Sequence, residues 1–226
     1  MTPSIVGRRL YLCTADRPDL AAFVSACVRG GVDLVQLREK ALRDTDLVAR
    51  ARLLVEVCRD LGVPAIVNDR PDLEMEADAD GVNVGQHDVA ASEARAIVGA
   101  DRIVGLSTHA PAELAASLEE PVDYISAGPV VPTPTKPGRP GTGTQYVRVA
   151  SATSTRPVFV TGGVEPAAVE RLAAAGARHF VVVRYLTESD DPESAARRLR
   201  RAIDRALANP VAETCAGVDA ADGGVG

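Results

Sequence analysis

The sequence predicts a single (β/α)8 barrel. Short β-branched runs alternate eight times with amphipathic segments. The runs start roughly every 20 to 30 residues, the spacing that parallel strands with helical crossovers need. They are nearly continuous apolar stretches, as expected of strands covered on both faces. An open doubly wound sheet is the alternative. It would want a phosphate loop after the first run, and neither GxGxxG nor a P-loop pattern follows Thr14. The length of 226 residues suits one such domain.

The expected strands cover residues 10–14, 32–38, 64–69, 81–85, 102–107, 124–128, 157–161 and 179–183. A helix over 18–29 follows the first strand. The helix over 44–61 is long and is stopped by Gly62. A short helix over 71–77 starts on Pro71, and one over 92–98 takes Ser92 as its cap. Pro111 opens the helix over 111–118, in the first turn where proline is tolerated. The rhythm breaks at 129–143, which holds five prolines and three glycines and is long enough to act as a lid. A weak helix over 144–150, a seventh over 166–175 stopped by Gly176, and a last one over 192–207 with an Arg-rich outer face complete the count of eight. The barrel is expected over 1–207. Residues 208–226, rich in Ala, Gly and Asp, are expected to be a mobile tail.

Composition excludes several classes. With 46% hydrophobic and 25% charged residues, the chain is neither disordered, collagenous nor a coiled coil. Its formal charge of −6 and its few aromatics (no Trp, 4 Tyr, 3 Phe) argue against nucleic-acid binding. No stretch reads as a signal peptide or a membrane span. Cys13, Cys27, Cys58 and Cys215 form no CxxC pair and are expected to be reduced, which implies the cytoplasm. The partners expected are small molecules, and a homo-oligomer is compatible with the sequence.

A barrel carries its chemistry at the C-terminal ends of its strands. Strand two ends in Gln36, Arg38 and Lys40, strand three in Asn68 and Asp69. Strand four runs into Gln86, His87 and Asp88, and strand five ends in Ser107, Thr108 and His109. Strand six feeds Thr133, Thr135 and Lys136, and strand seven ends in Thr161-Gly162-Gly163. Asp69 and Asp88 end neighbouring strands, so their carboxylates could meet. Two hard oxygen ligands with open positions suit Mg²⁺, which takes one or two carboxylates plus substrate phosphate. The competing reading of Asp69 is a cap for the helix at Pro71. His87 reads as a surface residue. Arg38, Lys40 and Lys136 fit the other side of a metal-bound diphosphate. Gly162-Gly163 after the seventh strand matches the standard barrel phosphate site, where backbone N–H groups can approach an anion. Two anion sites with a lid between them describe group transfer from a diphosphate ester to a phosphorylated acceptor.

These residues resemble the thiamine-phosphate synthase family. The matching motifs are Gln36-Leu37-Arg38-Glu39-Lys40, Val67-Asn68-Asp69-Arg70 and Gly81-Val82-Asn83-Val84-Gly85-Gln86. Gly105-Leu106-Ser107, Gly128-Pro129 leading to Thr133-Pro134-Thr135-Lys136, and Gly162-Gly163-Val164 follow in order. The resemblance spans nearly the whole chain, from residue 10 to about 207. It implies condensation of 4-amino-2-methyl-5-hydroxymethylpyrimidine diphosphate with 4-methyl-5-(2-phosphooxyethyl)thiazole, giving thiamine phosphate and diphosphate. It also implies roles by position. Gln36, Leu37, Arg38, Glu39, Lys40, Asn68, Ser107 and Lys136 would hold the pyrimidine diphosphate, with Lys136, Arg38 and Ser107 as the catalytic group. Thr133, Pro134, Thr135 and Gly163 would hold the thiazole phosphate, and Asp69 and Asp88 would bind Mg²⁺. The chain departs from the family in having Asn83 where His is often found, His87 in place of an acid, and Arg184 in place of a common Ser.

Three other readings compete. A thiazole tautomerase of the same fold would need no diphosphate–metal site, which Asp69, Asp88, Lys40 and Lys136 argue against. A non-catalytic phosphate-ligand binding protein would bind without releasing diphosphate. A phosphate-binding barrel of tryptophan synthesis leaves the Asp pair and the Thr-x-Thr-Lys loop unexplained.

Overall fold

The computed structural model describes residues 4–134, 138 and 140–208. Eight strands pair in chain order, all parallel: β1 (Leu10–Thr14), β2 (Leu34–Leu37), β3 (Ala65–Asn68), β4 (Gly81–Val84), β5 (Ile103–Thr108), β6 (Tyr124–Ala127), β7 (Val158–Thr161) and β8 (His179–Val182). β8 pairs back onto β1 with Tyr11 opposite Val181, which closes the barrel. The helices form the outer ring: α1 (Leu20–Arg29), α2 (Asp44–Asp60), α3 (Pro71–Ala77), α4 (Ala91–Val98), α5 (Pro111–Ser117), α6 (Gly143–Thr153), α7 (Pro166–Ala174), α8 (Arg184–Thr187) and α9 (Pro192–Ala208).

Strand periodicity divides the core in two. Outward residues such as Leu12, Val35, Val67, Val82, Val104, Val160 and Val182 join the helices in the larger apolar cluster. Inward residues form a smaller cluster of Tyr11, Leu34, Ile66, Ile103, Tyr124, Phe159 and Val181. Its centre is aromatic. Tyr11, Tyr124 and Phe159 meet edge-on with ring centroids 5.2 to 5.9 Å apart, the geometry the ring quadrupoles favour. Gly105 on β5 leaves room for the Tyr124 ring, because a Cβ there would stand 2.1 Å from it.

The barrel and its strand order match the expectation from sequence, with three differences among the helices. Ser92 caps nothing: α4 begins at Ala91, so Ser92 lies inside its first turn, and no side chain bonds the N-cap. α6 runs from Gly143 to Thr153, three residues past the expected end, although its buried stripe of Tyr146, Val147 and Ala150 lies within the expected span. The described residues also include a ninth helix, α8, whose four residues are too few to show a helical period. Gly62 and Gly176 take positive φ of 69° and 97° just past the C-caps Leu61 and Ala175 of α2 and α7, as helix stops do. Most of the expected tail, residues 209–226, lies outside the described residues, as does Cys215. Cys13, Cys27 and Cys58 are buried, and Cys13 Sγ bonds Gln36 Oε1. Among the described residues no helix is long and apolar enough to cross a membrane.

One buried group makes stability depend on pH. Glu74 on α3 is fully buried, and neither of its carboxylate oxygens has a hydrogen-bond partner. Arg102 Nε stands 4.0 Å away. Burial pushes the Glu74 pKa up from 4.5 to about 7. The folded state therefore holds this proton longer than the unfolded chain. The advantage is complete below pH 4.5 and is lost as pH rises through 7. Glu74→Met is expected to stabilise the protein more at pH 8 than at pH 5, by about 3 kcal/mol. Denaturant titrations at the two pH values measure this, and an equal gain at both would remove Glu74 as the cause.

Candidate active site

The same alternation that fills the barrel builds a polar layer above the aromatic centre. One step further along each strand, the inward residues become Cys13, Gln36, Asn68, Asn83, Ser107, Ser126 and Thr161. They sit side by side in register, Cys13 opposite Gln36, Asn68 opposite Asn83 and Ser107 opposite Ser126. All seven line a cavity of about 470 Å³ at the C-terminal ends of the strands. Six of them are buried, and buried polar groups need partners.

Most find them within the layer. Cys13 Sγ donates to Gln36 Oε1 at 3.2 Å, and Gln36 Nε2 donates to the Tyr11 hydroxyl at 2.7 Å. The Tyr11 and Tyr124 hydroxyls are 3.0 Å apart. Tyr124 donates to Asn83 Oδ1, and Asn83 Nδ2 donates to Ser107 Oγ, both at 3.1 Å. Gln86 Nε2 bonds the Ser107 carbonyl at 2.7 Å. Burial holds the pKa values of both tyrosines above that of a free phenol. Asn68 is an exception closed to solvent. Its Nδ2 is buried, lies at the cavity and has no partner.

The rim beside Asn68 carries charge. Lys40 Nζ lies 2.7 Å from Asp69 Oδ2. Asp88 is within hydrogen-bonding reach of Asp69 and also accepts from Gly85 N at 2.9 Å. Burial and the Asp88 carboxylate raise the Asp69 pKa while Lys40 opposes them. Asp69 does not cap α3, whose N-cap is Arg70 with no side-chain cap bond. Instead Asp69 turns off β3 at a φ of 65° with its N–H bonded to the Asn83 carbonyl. Among the described residues no cluster of three His, Cys, Asp or Glu side chains could hold a metal. The Asp69–Asp88 pair still fits Mg²⁺, because that ion completes its octahedron with water and substrate phosphate. His87 is exposed.

Across the cavity, Gly162 and Gly163 take positive φ of 93° and 72° beside Thr133, Val183 and Arg184. A Cβ on Gly163 would stand 2.6 Å from Val131, and one on Gly162 2.6 Å from Pro129, so glycine lets this turn lie against the loop after β6. Arg38 lines the cavity between the two ends and has no carboxylate in ion-pair range among the described residues.

Of the residues expected from the sequence, Gln36, Arg38, Asn68, Ser107, Thr133 and Gly163 come together at the cavity. Lys40, Asp69 and Asp88 gather at the rim next to it. Leu37 is fully buried in the outer apolar layer, facing away. Glu39 braces its own loop, accepting from the N–H groups of Asp16, Lys40 and Ala41. Pro134 is exposed and outside the cavity lining. Thr135 and Lys136 lie outside the described residues. Sequence reasoning missed Tyr11, Cys13, Tyr124 and Ser126, whereas Thr161, named at the end of strand seven, does line the cavity. The period-2 spacing Tyr11-x-Cys13 and Tyr124-x-Ser126 is the signal that could have found them.

A family model described as thiamine monophosphate synthase matches residues 10–186. The thiamine-phosphate synthase of Thermobifida fusca is 48% identical over 206 residues, covering 88% of this chain and 94% of that protein. That of Streptomyces avermitilis is 45% identical over 207 residues, covering 88% and 96%. Among solved structures, thiamine phosphate pyrophosphorylase from Pyrococcus furiosus superposes with a TM-score of 0.81 at 25% identity, covering 88% of this chain and 96% of that one.

Proposed function

Because the chain belongs to the thiamine monophosphate synthase family, we propose that its cleft joins the pyrimidine diphosphate to the thiazole phosphate, releasing diphosphate. One observation carries the assignment of the two ends. The unpartnered Asn68 amide lies at the same end as the Lys40–Asp69–Asp88 cluster, and the Gly162-Gly163 turn faces it across one cavity. The first end suits a diphosphate and the second a monophosphate.

In this reading Gln36, Asn68 and Ser107 bind the pyrimidine diphosphate from the floor, with Arg38, Lys40 and Lys136 as its cations. Asp69 and Asp88 would hold Mg²⁺, which supplies positive charge to the diphosphate oxygens when bound. Thr133, Thr135 and the Gly163 backbone hold the thiazole phosphate. The C–O bond to diphosphate breaks first, and the electron pair leaves with the diphosphate. The electron-rich aminopyrimidine bears the resulting benzylic-type cation. The thiazole nitrogen then supplies the pair for the new C–N bond. Arg38 stabilises the departing charge, and the cleft walls hold the two rings within reach of each other. No side-chain nucleophile is needed. The free, buried Cys27 and Cys58 support a reducing, cytoplasmic location.

The test is an assay of the purified protein with Mg²⁺ and both substrates, the product being oxidised to fluorescent thiochrome. We expect thiamine phosphate to form and its formation to stop on adding EDTA, then to return with excess Mg²⁺. Folded protein that binds thiazole phosphate but forms no product would favour the tautomerase or the binding protein. Product formation indifferent to EDTA would remove the metal.

A further inference from the structure

We propose that Tyr124, which lies beneath the cavity floor, is a positioning residue that sets the Ser107 hydroxyl as a hydrogen-bond donor toward the substrate. The inference rests on the reaction proposed above and adds residues that its site did not include.

The hydrogen bonds of the floor run in one direction. Cys13 gives its thiol proton to Gln36 Oε1, so the Gln36 amide turns its nitrogen to Tyr11. The Tyr11 oxygen is then an acceptor. At the far end, Tyr124 gives its only proton to Asn83 Oδ1. The 3.0 Å contact between the two phenols must therefore carry the Tyr11 proton to the Tyr124 oxygen. Because Asn83 presents its oxygen to Tyr124, it presents its nitrogen to Ser107. Ser107 Oγ accepts, and its own proton has no acceptor among the described residues. Ser107 is 8% exposed and lines the cavity, so that proton is left for a ligand.

Beside the Ser126 and Thr161 hydroxyls, the floor offers donors at three points: Ser107 O–H, the unpartnered Asn68 Nδ2, and the second Nε2 hydrogen of Gln36. It fits a ligand face bearing lone pairs, such as ring nitrogens without hydrogen or phosphoryl oxygens. Burial raises both phenol pKa values, so the chain keeps its protons across the working pH range. Removing the Tyr124 hydroxyl breaks the link. Asn83 is then free to turn its amide and accept from Ser107, which would present a lone pair to the substrate in place of a proton. The ring packing on Tyr11 and Phe159 is kept by phenylalanine.

The experiment is a double-mutant cycle of Tyr124→Phe and Ser107→Ala, read by thiochrome kinetics with each substrate varied in turn. Tyr124→Phe is expected to lower kcat/KM for the pyrimidine diphosphate by about tenfold. KM for the thiazole phosphate should stay within about twofold, since that end is built from other residues. The double variant should lose no more than Ser107→Ala alone, because Tyr124 acts through Ser107. Losses that multiply, or wild-type kinetics for Tyr124→Phe, would overturn the proposal. If Tyr124→Phe does not fold, Asn83→Leu takes its place in the same cycle with the same expectations. A wild-type enzyme that forms no thiamine phosphate would defeat the underlying reaction instead, and the two failures are told apart by the wild-type control.

Discussion

Asp69→Asn is expected to lower kcat/KM by roughly 10- to 100-fold or more and to move the Mg²⁺ requirement to higher concentration, with the fold intact. Asparagine is the informative replacement. Asp69 sits at a φ of 65°, where asparagine is tolerated and alanine is strained. The substitution therefore removes a negative charge without disturbing the turn off β3. Its carboxylate faces Lys40 at 2.7 Å and Asp88 within hydrogen-bonding reach. A partner behind a metal ligand typically costs 10- to 100-fold in affinity or activity, so loss of a ligand should cost about that or more. The measurement is turnover against Mg²⁺ concentration for both proteins, with circular dichroism for the fold. An unchanged rate with an unchanged Mg²⁺ midpoint would remove Asp69 from the mechanism.

Asn68→Ala should separate stability from activity. Its Nδ2 is buried with no partner in the free protein, a condition that costs about 1–3 kcal/mol. Alanine removes that cost while opening space only toward an existing cavity. The variant is expected to melt no lower than the wild type. Its use of pyrimidine diphosphate should fall by roughly 10- to 100-fold, the value of a hydrogen bond to a charged group. Higher stability with lower activity is what a group held ready for a ligand gives, because the ligand and not the fold satisfies it. Thermal melts of the free protein and kinetics with the diphosphate substrate varied decide the matter. A large drop in melting temperature would make Asn68 a structural residue. Unchanged kinetics would make its unpartnered nitrogen irrelevant to substrate.

Different parts of the site were legible for different reasons. Asp69, Asp88 and Lys40 were readable because they follow strand ends, and every strand end of a closed barrel converges on one face. The motif Gln36 to Lys40 was readable as a block but not residue by residue. Gln36 points into the barrel, Leu37 points out into the helix layer, and Glu39 ties down backbone N–H groups. A run of adjacent residues cannot all face one ligand when side chains alternate across a strand. Ser92 misled because a serine at a helix start is a cap only if it lies outside the first turn. α8 was invisible because four residues hold little more than one turn.

What the sequence by itself determined is the barrel, its strand order, and which end gathers the polar residues. Those follow from local pattern: apolar runs, helical crossovers and polar residues at strand ends, each written in consecutive residues. What only the tertiary structure decided is how the floor is wired and which groups remain unpartnered. Closure brings β1 and β6 face to face across the barrel, so Tyr11 meets Tyr124 although the two are distant in the chain. From there the order passes to Asn83 and Ser107 on β4 and β5. No local pattern records such contacts, because each depends on the sum of all eight strand registers. The same sum leaves Asn68 Nδ2 without a partner while the side chain of Asn83, opposite it in register, has two.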